Sequence, residues 1–133
     1  MRVVRFSPLP DAGVGTDPLY GILEEDNSIT VITGDPIYQG IQKTAAKLEL
    51  SKVRILAPVI PRSKIVAIGK NYADHAAEMG GVVPEEPIIF IKPNTTVAGP
   101  GDTIVWPAMA PSIDYEAELA IVIGRVCKEV PVE

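Results

Sequence analysis

Residues 64–81 read KIVAIGKNYADHAAEMGG, and the fold class follows from them. Lys64 to Ile68 is an apolar, β-branched run of strand length. After a short loop, Ala73 to Met79 predicts a helix, which Gly80 and Gly81 close at its C-terminal end. A helix under about a dozen residues is marginal in water, so this one depends on packing or on a functional docking site. The chain therefore reads as β-rich α+β, with helices too short to carry the fold.

The same pattern extends outward in both directions. Thirteen prolines and eleven glycines cut the chain into short pieces rich in Val, Ile and Thr, as in β-dominated proteins. Strands are predicted at Arg2 to Phe6, Tyr20 to Leu23, Ser28 to Thr33, Val53 to Leu56, Ile88 to Ile91, Thr103 to Val105 and Tyr115 to Ile123. The polar EEDN at Glu24 to Asn27 predicts a hairpin loop, and Pro36 to Gly40 a second short helix. The proline-bearing stretch APVIPRSK, Ala57 to Lys64, predicts a linker. It divides the chain into a small N-terminal α+β domain, residues 1–58, and a second domain beginning within residues 59–133. CKEVPVE follows a predicted strong strand with nothing to cover it, so the chain is expected to stop within that second domain.

Of the 133 residues, 47% are hydrophobic and 22% charged, the range of a globular protein. A single cysteine, Cys127, excludes an internal disulfide and fits a reducing, cytoplasmic setting. No stretch reaches the roughly 18 apolar residues of a membrane span, and the start lacks a signal-length apolar run. Seventeen acids against twelve bases leave a net charge of -5, which argues against nucleic acid as a partner. An acidic substrate would need local cations, or a metal ion, to be held here.

Residues 111–124, PSIDYEAELAIVIG, pose the electrostatic question. In a strand Glu116 and Glu118 share a face and the residues beyond them are apolar on both faces, which predicts a buried strand with carboxylates at its mouth. Two carboxylates about 5 Å apart repel by about 3 kcal/mol at an effective dielectric near 20. A hard divalent cation, Mg²⁺ or Mn²⁺, would offset that repulsion. Asp114 shares the face but lies ~13 Å from Glu118, too far for the same ion. The alternative is that the acids are charges on an edge strand that discourage aggregation.

The only histidine, His75, has Glu78 three residues on, on the same helical face. A carboxylate that orients an imidazole suits a general base drawing a proton from water; the same spacing also serves as a surface ion pair. Lys92 ends the apolar run PIIFIKP, where Pro93 holds it extended. It can present a fixed cation to a substrate carboxylate or snorkel into solvent. GPGD, Gly99 to Asp102, predicts a turn; phosphate loops, dinucleotide motifs, covalent nucleophiles and zinc ligand sets are missing from the pattern.

Three segments in this order, KIVAIGKNYADHAAEMG, PIIFIKPNTTVAGPGDTIVWP and DYEAELAIVIG, resemble the fumarylacetoacetate hydrolase family, over about Val53 to Gly124. Residues 1–52 look like the small N-terminal domain of many bacterial members. The resemblance implies a mixed β-sandwich roll, a homodimer, and Mg²⁺ or Mn²⁺ on acidic ligands, with Glu116 and Glu118 matching two of three. It implies that His75 and Glu78 are the pair on a mobile lid helix that deprotonates water, and that Lys92 is the motif lysine beside the site. The third ligand, an aspartate, would lie beyond Glu133. The rest of the catalytic domain is then expected in cis or on another chain, and residues 1–133 alone are expected to hold an incomplete metal site.

The function the resemblance implies is metal-dependent cleavage of a C–C bond in a 2-oxo acid, as in an acylpyruvate or fumarylpyruvate hydrolase. Alternatives are an oxaloacetate-type decarboxylase, an isomerase of 2-hydroxyhepta-2,4-diene-1,7-dioate in aromatic catabolism, or a binding module or inactive piece without turnover.

Overall fold

The computed structural model describes residues 1–132. Its strands are β1 (Arg2–Pro8), β2 (Leu19–Leu23), β3 (Ser28–Ile32), β4 (Lys43–Glu49), β5 (Val53–Ile55), β6 (Lys64–Gly69) and β7 (Ile88–Pro93). Two short helices, α1 (Pro36–Gln39) and α2 (Ala73–Glu78), accompany them. The first five strands form one sheet in the order β4-β3-β2-β1-β5, and β6 pairs with β7 in a second. Every pairing is antiparallel. The chain divides into two compact units, Met1–Pro58 with the segment from Gly99 onward, and Val59–Ala98. The β-rich α+β architecture expected from the sequence is the architecture found.

In the first unit, alternation along the strands puts Phe6, Ile29, Val31 and Leu48 into one buried cluster. Val4, Leu19, Leu23, Val53 and Ile55 pack around it. Phe6 stands opposite Leu19 on one side and Ile55 on the other, so β1 joins both halves of the sheet. The expected loop at Glu24 to Asn27 closes the β2–β3 hairpin for identifiable reasons. The Asp26 carboxylate accepts from the Ser28 amide at 2.9 Å, and Asn27 takes a left-handed φ of 61°, a conformation asparagine tolerates.

Two predicted strands are corrected. Residues 103–105 and 115–123 carry no ladder pairing and are exposed, with Leu119 at 81% and Ile121 at 80% exposure. A strand exists only where a neighbouring backbone accepts and donates its hydrogen bonds in a continuous ladder, and no such ladder forms along these residues. The buried-strand reading of Tyr115 to Ile123 is therefore wrong for this structure. Conversely, β4 was not predicted. Its sequence KTAAKLE favours helix as much as strand, and it is recruited as an edge through Leu48 opposite Ile29 and a bond from the Thr44 hydroxyl to the Val31 carbonyl at 3.0 Å.

The sheet closes over Gly21. A Cβ there would stand 2.4 Å from Ile29 Cγ2 and 3.1 Å from Phe6 Cε1. Gly21→Ala should destabilise the first unit by about 1–3 kcal/mol through overpacking, read as a lower urea midpoint; an unchanged midpoint would show that the core has room there.

Surface carboxylates of this unit make its stability pH-dependent. The Lys52 ammonium holds Asp11 below its ordinary value of 3.8. The Thr30 hydroxyl, then Lys43, lowers Glu24 from its ordinary 4.5. Acids lowered on folding stabilise above their unfolded pKa and lose that contribution as pH falls. The urea midpoint is thus expected to hold level above about pH 5 and to decline below about 4.5, with a shallower decline in Thr30→Val. Identical slopes would exclude the Thr30–Glu24 bond as a contributor.

Candidate functional site

The unit Val59–Ala98 carries three of the five predicted site residues. β6 and β7 pair from Lys64↔Pro93 to Gly69↔Ile88, so one face holds Ile65, Ala67, Phe90 and Lys92. All of β7 is exposed. α2 leaves the Gly69 end of the hairpin; Tyr72 precedes it in extended conformation and Ala76 is its buried residue. The chain closes after it with Gly80 at φ 73°. The amides of Gly80 and Gly81 reach back to the carbonyls of Ala77 and Ala76, each at 2.9 Å. This is the glycine-terminated C-terminus expected from the sequence.

On α2, His75 Nδ1 lies 3.8 Å from Glu78 Oε2, with the two side chains 40% and 78% exposed. The carboxylate thus faces Nδ1. In the neutral ring a proton on Nδ1 makes Nε2 the acceptor nitrogen. The pair predicted from spacing is therefore formed.

Lys92 is not beside them along the strand. It is four residues from Ile88, which pairs with the Gly69 end from which α2 departs, or ~13 Å at the rise of an extended strand. Its Nζ stands 5.7 Å from the centroid of the Phe90 ring, within cation–π range. Sequence reasoning passed over Phe90, although residues two apart on a strand share a face and the spacing contained that signal. It also passed over Lys70, whose left-handed backbone leaves no trace in spacing.

Glu116 and Glu118 belong to the other unit. Both are exposed and lie outside any strand or helix. Asp102 serves the predicted Gly99–Asp102 turn by accepting from the Gly99 amide at 2.7 Å. Gly99 is required at that turn, for a Cβ would stand 2.6 Å from the Ala57 amide nitrogen.

As a donor set, two carboxylates supply hard oxygen ligands of the kind that Mg²⁺ or Mn²⁺ takes alongside water and substrate oxygens. Among the described residues no group of three or more His, Cys, Asp or Glu is assembled for a metal ion. The fit is one of ligand chemistry: Glu116 and Glu118 could hold such an ion as two of its ligands. No described helix is long and apolar enough to cross a membrane.

Comparison with known proteins assigns both parts of the chain. Residues 1–58 match the family model "Rv2993c-like, N-terminal", and residues 64–133 match "Fumarylacetoacetate (FAA) hydrolase C-terminal". Protein Rv2993c of Mycobacterium tuberculosis is 45% identical over 98% of this chain, which spans 49% of that protein's length. The mitochondrial oxaloacetate tautomerase FAHD2A of Bos taurus is 47% identical over 59% of this chain and 25% of its own. A crystal structure of 5-carboxymethyl-2-hydroxymuconate delta-isomerase from Mycobacterium smegmatis superposes with a TM-score of 0.54 at 35% identity, covering 71% of this chain and 34% of that one. The chain spans about half the length of Rv2993c or less of these relatives. With its family model matched over residues 64–133, more than half of the sequence, the chain belongs to the fumarylacetoacetate hydrolase family.

Proposed function

We propose that the protein works on 2-oxo acids through a proton transfer at the carbon beside the 2-oxo group, with a divalent cation as cofactor. The observation that carries this reading is the His75–Glu78 pair, an oriented imidazole on a short helix with solvent access. Two relatives support it by their names. A tautomerase moves a proton between carbon and oxygen, and a delta-isomerase of a 2-hydroxymuconate moves a double bond by the same kind of transfer.

In this reading Glu78 holds the imidazole by Nδ1, and Nε2 takes the proton from the substrate carbon and returns it elsewhere. Lys92 presents its ammonium to a substrate carboxylate and supplies positive charge that a chain of net charge -5 otherwise lacks. Glu116 and Glu118 would hold Mg²⁺ or Mn²⁺, which as a Lewis acid polarises the 2-oxo group.

C–C hydrolysis is the second reading. At 40% exposure, His75 is open to water, and the same Nε2 could deprotonate a water molecule for attack on an acylpyruvate. A decarboxylase would use these residues to control where the resulting enolate is protonated. A homodimer, with the remainder of the family domain in cis or on another chain, completes the proposal.

His75→Ala is expected to slow oxaloacetate keto–enol conversion with Mn²⁺ present by about two to four orders of magnitude, followed by loss of enol absorbance. A rate equal to that of the unmodified protein would remove His75 from the reaction. Calorimetric titration with Mn²⁺ should give heat of binding that Glu118→Gln abolishes; equal binding by the two proteins would assign the acids a structural role.

A further inference from the structure

Lys70 lies between β6 and α2 with φ 54°. A lysine gains nothing from the left-handed region by itself: its Cβ crowds the following carbonyl oxygen, and glycine or asparagine would hold that φ at lower cost. Its side chain supplies a return. The Lys70 ammonium stands 3.8 Å from the point a Cβ on Gly81 would occupy, and the Ala76 carbonyl oxygen stands 3.6 Å from the same point. That is the C-terminal end of α2, where the carbonyls of His75, Ala76 and Ala77 accept from Met79, Gly81 and Gly80. These carbonyls carry the negative end of the helix, which favours a cation nearby.

One residue thus acts at both ends of the element that bears His75 and Glu78. Its backbone turns the chain out of β6 toward Tyr72 and the start of α2, and its side chain returns to the helix terminus. A six-residue helix cannot hold its own place in water, so the direction of the His75 ring depends on what fixes those two ends. We propose that Lys70 is a positioning residue: its left-handed backbone and its ammonium over Gly81 together fix α2, and so aim the His75 imidazole. This goes beyond the proton-transfer reading, on which only its consequence for turnover rests.

The test uses the intact chain and three variants. Lys70→Met removes the charge and keeps the backbone demand, Lys70→Asn accepts the left-handed φ without an ammonium, and Lys70→Arg keeps the cation. Hydrogen exchange at the Met79, Gly80 and Gly81 amides is expected to speed up by about two- to fivefold in the Met and Asn variants, the size of a helix-terminal charge effect. It should stay near the unmodified rate in Lys70→Arg, while Phe6 and Ile29 amides remain unchanged in all three and report an intact sheet. The His75 ring ¹⁵N shifts, read without substrate, should move in Met and Asn and be restored in Arg. Where oxaloacetate conversion is measurable, kcat should fall in Met with KM unchanged. Exchange rates and ring shifts that stay the same in Lys70→Met would overturn the proposal, as would faster exchange with unmoved ring shifts. An inactive unmodified protein would bear on the turnover readout alone, and the substrate-free shifts would still decide the role of Lys70.

Discussion

The sheet of the first unit depends on one close approach. Gly21 has no side chain, and into that space come the Ile29 methyl, the Thr30 carbonyl oxygen and the Phe6 ring. Phe6 and Ile29 are fully buried, and with Val31 and Leu48 they form the buried cluster. Because Phe6 sits on the strand that pairs with both β2 and β5, the contact over Gly21 ties the hairpin to the far edge of the sheet. Aromatic and branched side chains favour strands chiefly through such packing on the pleated surface. The two edges are handled differently: β5 is three residues long, and β4 carries Lys43 and Lys47, charge that discourages edge-to-edge pairing.

What the sequence made legible was local. The EEDN loop, the turn at Gly99–Asp102 and the glycine-closed helix after His75 are all written in residues within a few positions of one another. Each rests on a conformational preference the residues bring with them. β4 and residues 115–123 show the opposite limit. KTAAKLE lacks the usual signs of a strand, yet it finds a partner edge and pairs; DYEAELAIV has strong alternation, yet it joins no strand ladder. Pairing is a property of two segments, and periodicity in one of them records only half of it.

The candidate site divides along the same line. His75 and Glu78 were legible because three residues on a helix are one face, and the structure brings them to 3.8 Å. Phe90 and Lys92 follow the strand's period of two. Glu116 and Glu118 keep their spacing but not the buried strand that was to force a cation between them. Exposed to water, their mutual repulsion is screened, so electrostatic necessity no longer demands a metal ion. What remains is ligand chemistry: paired oxygens that a hard cation accepts.

Lys70 could not be found by spacing at all, because its cost is paid in backbone conformation and its return lies eleven residues downstream at Gly81. Proton transfer makes a strict demand on geometry, since the accepting nitrogen must come within hydrogen-bond reach of the proton it takes. A helix of six residues meets that demand only if its ends are held. At the C-terminal end the Gly80 and Gly81 amides return to α2 carbonyls, and at the other end the N-cap residue, Tyr72, makes no side-chain capping bond to the helix. The turn at Lys70 lies just upstream, and its left-handed φ sets the direction in which the chain enters this short helix.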